Sequence, residues 1–171
     1  MRAFYAVGLW DLLDISELHQ DFHWSQEVRW VRQPHVHLTL NFLGEITPAQ
    51  VSSASALLQE TAATVSAFHL EWSRTGVFPN WHQPRVLWVG LKPASERIVI
   101  QLSKALGNHQ PKPHVTMGRL PKGGSPELLD QWRNYKITWP SIPVTKLLLV
   151  KSTLTREGPI YEVVEEASLG K

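Results

Sequence analysis

The pattern His-apolar-Thr-apolar is written twice in this chain, as His37-Leu38-Thr39-Leu40 and His114-Val115-Thr116-Met117, 77 positions apart. Side chains alternate along a strand, so His37 and Thr39 share one face, and Leu38 and Leu40 the other. His114 and Thr116 stand in the same way opposite Val115 and Met117. The apolar faces belong in a core; the polar faces need water, partners or a cleft. The repetition extends further. Each unit runs on to a Leu (Leu43, Leu120) and precedes a loop and a helix opened by Pro48 or Pro126. A chain written this way is expected to assemble one site from two halves around a pseudo-twofold.

Eight His and ten Thr in 171 residues give roughly half a chance His-x-Thr, so one copy carries no information. Two copies with apolar residues at both alternate positions should arise in well under about one chain in a hundred. The competing reading is a pair of ordinary strands with surface His and Thr.

Hydrophobic periodicity and turn chemistry predict an α+β order rather than regular βαβ alternation. Strands are expected at 3–8, 28–31, 36–43, 66–74, 85–91, 114–120, 144–151 and 160–165. Helices are expected at 11–24, from Thr47-Pro48 to 62, at 95–106 after an opening Pro93, and from Ser125-Pro126 to 135. Gly44 should end the first motif strand, and GVFPN (76–80) should be a turn. No long linker divides the chain, and its length suits one domain or two intimate lobes.

The absence of cysteine excludes a disulfide framework, a Cys nucleophile and a Cys-based zinc site. The net charge of +2, without Lys/Arg runs, favours a small or terminal phosphate over a long duplex. The N-terminal apolar run meets Asp11 too soon for a signal peptide or a membrane span, so a soluble cytoplasmic protein is expected.

Paired imidazoles suit phosphoester chemistry. A neutral His takes a proton from water while a protonated His donates to the leaving oxygen. Two Thr hydroxyls can hydrogen-bond the non-bridging oxygens as charge shifts. That scheme needs no metal. A zinc site from His19, His23, His35 and His37 is the alternative, but the Glu of H-E-x-x-H is missing. Arg74, Arg85, Lys112 and Lys122 could form a basic rim, and Trp81 a stacking surface. His109 enters the loop before the second motif. Gly123-Gly124 is too short for a phosphate loop, and no P-loop is present.

The paired motif resembles the 2H phosphoesterase superfamily. MRAFYAVGL, VHLTLNFLGEI, GVFPNWHQPRVLWVGL, KPHVTMGRL and LLLVKSTLTREGPIYEVV together resemble its RNA 2′,3′-cyclic phosphodiesterase branch, historically called 2′-5′ RNA ligases. The resemblance implies a single bilobal domain over 1–171, with two pseudo-symmetric antiparallel sheets and flanking helices around a central cleft. It implies hydrolysis of a terminal 2′,3′-cyclic phosphate on RNA, or of a cyclic nucleotide, to a 2′-phosphate, with 2′-5′ ligation as the reverse chemistry. It assigns His37 as general acid, His114 as general base, Thr39, Thr116 and Arg119 to the phosphate, and Phe42 to base stacking. No cofactor, metal, membrane or obligate protein partner is expected, and a monomer is. Phe42 and Arg119 lie five positions after their His, so they reach the cleft only if each strand bends. A non-catalytic RNA- or nucleotide-binding module in the same cleft is the second functional class.

Overall fold

Strand β1 (Arg2–Gly8) runs through the middle of one lobe, and five of its seven residues are buried. It pairs antiparallel with β3 (His37–Glu45) on one side and β9 (Lys146–Thr155) on the other, and β9 pairs with β10 (Gly158–Ser168). The second lobe repeats the plan. Strand β7 (Val115–Arg119) pairs with β6 (Val86–Leu91), β6 pairs with β5 (Trp72–Phe78), and the two-residue β2 (Arg29–Trp30) lies on the far end of β7. A single rung, Leu38↔Val115, joins the lobes into an eight-stranded sheet. Strands β4 (Phe68–Leu70) and β8 (Ile142–Val144) form a separate two-stranded sheet. These features come from a computed structural model that describes residues 1–170.

Helix α2 (Pro48–Ala63) begins where the sequence placed it. The Thr47 hydroxyl accepts from Gln50 N and the Gln50 side chain accepts from Thr47 N, a complete capping box with Pro48 in the first turn. It packs on β9 and β10. Helix α3 (Pro93–Ala105) packs against β3 and β4, and α4 (Pro126–Asn134) against β5. Ser125 caps α4 by accepting from Leu128 N. Trp132 of α4 is fully buried; its indole N–H donates to Gly76 O at 2.9 Å, and the Thr75 hydroxyl donates to Trp132 O at 2.5 Å. Losing such an aromatic costs about 3–5 kcal/mol, so this contact ties α4 to the sheet.

Five expectations are corrected. The helix expected at 11–24 shrinks to α1 (Ser16–Asp21), because Leu9 O takes the Leu12 and Leu13 N–H groups in a separate turn and Gln33 Oε1 takes that of Ile15. The alternating run 66–74 divides between β4 and β5, which belong to different sheets. Residues Gly76 to Phe78 are strand, and the chain turns only at the cis Phe78–Pro79 bond. Strand β8 is missed because it has three residues, one of them Pro143, and pairs only with distant β4. The closing hairpin also runs longer than its apolar core, with Gly158 at φ 111° after the turn.

Candidate active site

The lobes meet at the two motifs. Antiparallel register around Leu38↔Val115 sets His37 across from Thr116 and Thr39 across from His114. Leu38, Leu40, Val115 and Met117 are all fully buried, while the two His and two Thr are half-buried on the opposite face. The four polar groups therefore share one half-buried face at the seam.

Both imidazoles are held alike. His37 Nδ1 lies 2.7 Å from His35 O, and His114 Nδ1 lies 2.5 Å from Lys112 O, in each case the carbonyl two residues upstream. A carbonyl only accepts, so Nδ1 carries the proton and Nε2 is left with its lone pair in the neutral ring. His37 Nε2 is 3.1 Å from Thr39 Oγ1, which can donate to it.

Each ring also sits among aromatics. Phe4 lies 5.0 Å and Tyr161 5.4 Å from His37, centroid to centroid, and Phe78 and Trp88 lie 4.9 and 6.4 Å from His114. Beneath His37, Phe4, Ala6, Leu148 and Val150 form a small buried cluster, with Trp10 and Tyr161 packed against it. Burial in these surroundings holds both imidazoles below the usual His value of 6.5. For His37 the carbonyl of His35 opposes the shift, while the nearby His35 and His114 reinforce it. For His114 the carbonyl of Lys112 opposes and the Arg119 guanidinium reinforces. The free site therefore favours two neutral rings, and a bound anion would reverse that preference.

Phe42 and Arg119 reach this face through a matched pair of β-bulges. In β3, Thr39 faces Ala6 and Asn41 faces Tyr5, so Leu40 is the extra residue. In β7, Thr116 faces Trp88 and Gly118 faces Leu87, so Met117 is the extra residue. Each bulge falls three positions after its His, and a one-residue insertion switches the alternation. Phe42 thus lies 5.8 Å from Phe4, on the His37 side, and is 68% exposed. Arg119 is exposed and close enough to shift both His114 and Tyr161.

The structure adds residues that the sequence reading missed. Gly8 pairs with His37, and Gly90 follows Val89 at the matching place beside the second motif. A Cβ at Gly8 would lie 2.8 Å from Trp10 and 2.9 Å from Leu148. The repeated Val-Gly-Leu at 7–9 and 89–91 was the available signal. Trp88 lies flat over Gly76, where a Cβ would be 2.1 Å from the indole. Tyr161, from the outermost strand, packs on His35 as well as His37. No local sequence signal marks it.

The other candidates stay apart. His19 packs on Trp30, and His23 Nδ1 bonds Gln20 O, away from His35. Among the described residues, no three His, Asp or Glu side chains are grouped to hold a metal. Arg74, His109, Lys112 and Lys122 are exposed, and Trp81 lies beneath Arg133, 4.3 Å from its guanidinium carbon. Arg85 donates to Pro84 O.

Two lobes joined at paired His-x-Thr strands define a phosphoesterase architecture of the two-histidine kind. Residues 13–88 match the family described as LigT like Phosphoesterase. A protein of Aquifex aeolicus named RNA 2′,3′-cyclic phosphodiesterase is 33% identical, over 99% of this chain and 98% of its own. One of the same name from Archaeoglobus fulgidus is 31% identical, over 95% and 97%. Among solved structures, TT0787 of Thermus thermophilus superposes with a TM-score of 0.78 at 27% identity, covering 99% and 98%. E. coli LigT complexed with phosphate gives 0.69 at 25%, also covering 99% and 98%. The chain belongs to the LigT-like 2H phosphoesterase family, a family of phosphodiester hydrolases. No helix among the described residues is long and apolar enough to cross a membrane.

Proposed function

We propose that this protein is a single bilobal, metal-independent enzyme that hydrolyses the 2′,3′-cyclic phosphate of an RNA end, or of a free cyclic nucleotide, to a 2′-phosphate. The observation that carries the reading is the mirrored pair of imidazoles, each bonded at Nδ1 to a backbone carbonyl so that Nε2 is the nitrogen that can exchange a proton. Water attacks phosphorus as the bond to the 3′ oxygen breaks. His114 takes the proton of the water, and protonated His37 gives its proton to the 3′ oxygen, leaving a 2′-phosphate and a 3′-hydroxyl. Thr39 and Thr116 hydrogen-bond the non-bridging oxygens, Arg119 balances the phosphate charge, and Phe42 offers its exposed ring to the terminal base.

The substrate rests on the relatives named for RNA 2′,3′-cyclic phosphodiesterase, and the anion site on E. coli LigT having been solved with phosphate. With a 5′-hydroxyl in place of water, the same groups in the same roles give a 2′-5′ linkage: His114 takes the proton of the 5′-hydroxyl and His37 gives one to the departing 3′ oxygen. The reading implies a cytoplasmic monomer that meets RNA ends without a protein partner. A pure binding module is disfavoured, since phosphate recognition alone does not require two tautomer-locked imidazoles.

The test is incubation with 2′,3′-cyclic nucleotides and a short RNA bearing a cyclic end, in EDTA, resolving 2′- from 3′-phosphate. Clean 2′-phosphate is expected. A 3′-phosphate product, or turnover only after metal is added back, would overturn the scheme.

A further inference from the structure

Arg29 and Arg119 face each other as a direct cross-strand pair. Side chains of directly opposed residues leave the sheet on the same face, where like charges destabilise the pair. Both residues are exposed, and among the described residues neither forms a salt bridge; the three ion pairs present lie elsewhere. Glu27, the nearest acid in sequence, is taken up by Ser125 N, by the Ser125 hydroxyl and by that of Ser25.

The pairing is also built. Strand β2 consists of two residues, and its rungs are Arg29↔Arg119 and Trp30↔Gly118. Trp30 points into the helices, against Phe22 and Trp132, so Arg29 points to the other face, the side of the cleft. Gly118 permits the approach: a Cβ there would lie 2.5 Å from Val28 Cγ1 and 3.2 Å from Arg29 O. Two exposed arginines without an acidic partner, opposed across the strands at the edge of the proposed phosphate site, suit an anion between or beside them.

We propose that Arg29, set beside the Arg119 that faces the cyclic phosphate, forms a second phosphate subsite that takes the 5′ phosphate of the terminal nucleotide, one nucleoside away from the cyclic phosphate. This rests on the hydrolytic reading above and deepens it: the preferred substrate is an oligonucleotide end rather than a free cyclic nucleotide. The rest of the RNA then leaves the cleft over β2 and β7. The other exit, over Arg32 and beside Tyr161, is not the one used.

Two measurements test this. The first is the ratio of kcat/KM for a dinucleotide ending in a cyclic phosphate to that for the corresponding nucleoside cyclic phosphate. The ratio is expected to be about tenfold or more in the wild-type protein, to collapse towards unity in Arg29→Gln, to recover in part in Arg29→Lys, and to persist in Arg32→Gln. The second is binding of a nucleoside 2′,5′-bisphosphate against the 2′-monophosphate, which needs no turnover. The bisphosphate is expected to bind about tenfold tighter, and Arg29→Gln to remove that preference. Equal losses on both substrates in Arg29→Gln, an unchanged ratio, or a collapse in Arg32→Gln instead would each overturn the subsite. A bisphosphate preference lost in Arg29→Gln from a protein that hydrolyses no cyclic phosphate would uphold the subsite and overturn only the reaction.

Discussion

Gly76→Ala tests how the second histidine is kept dry. A Cβ at residue 76 would stand 2.1, 2.2 and 2.5 Å from three carbons of the Trp88 indole, so the ring must leave its place over the sheet. Trp88 can be displaced without breaking a hydrogen bond, because its buried indole N–H has no acceptor among the described residues. Overpacking of this kind costs about 1–3 kcal/mol. Residue 76 does not have positive φ, so Ala gains about 0.4–1 kcal/mol through the unfolded chain. The net loss is then between about 0 and 2.6 kcal/mol, a fall in Tm of up to about 10 °C for a chain of this size. Moving Trp88 also lets water reach His114, whose titration point should rise towards 6.5. The assay is a double-mutant cycle with Trp88→Ala, read by denaturant unfolding, alongside NMR titration of the His114 ring. The cost of Gly76→Ala should vanish once Trp88 is Ala. An equal cost in both backgrounds, or a His114 titration unmoved in Gly76→Ala, would refute the reasoning.

His37→Ala and His114→Ala should each lower kcat by at least about 100-fold while far-UV circular dichroism stays unchanged; turnover within tenfold of wild type would remove that ring from the mechanism. Both rings titrate below 6.5 in the free protein, and a bound phosphate raises them, so the pH optimum of kcat should lie above that of kcat/KM; the reverse order would count against the assignment. Stability has a matching sign. With the folded-state values depressed, the unfolded chain binds more protons as pH falls below 6.5, so Tm should drop from pH 7 to 5, and less steeply in the His37→Gln, His114→Gln double variant. Gly118→Ala should weaken the β2 pairing by about 1–3 kcal/mol and erase the dinucleotide preference together with it; retention of that preference would separate β2 from the subsite.

The paired motifs, their buried and polar faces, and the Thr47 and Ser125 helix starts were legible in the chain, because each depends on residues within a few positions of one another. Alternation and capping are local, and the amino acids that carry them are few. The shortness of α1 was not legible, since the bond that ends its extension comes from Gln33, on another segment. Strand β8 was invisible because β4, its partner, lies more than 70 residues earlier.

The site shows the same division. From the sequence came the four groups His37, Thr39, His114 and Thr116, and the difficulty that Phe42 and Arg119 fall on the wrong parity. The sequence could not reveal that bulges at Leu40 and Met117 remove that difficulty in both lobes, because a bulge is a property of the register between two strands rather than of either one. Nor could it reveal Tyr161 against His37, Trp88 over Gly76, or Arg29 opposite Arg119, contacts between residues 12 to 124 positions apart in the chain. The chain by itself determined which chemistry is available. The tertiary structure decided which groups share a face, how dry they are and where unpaired charge accumulates, because those depend on distances across the sheet that no local pattern encodes.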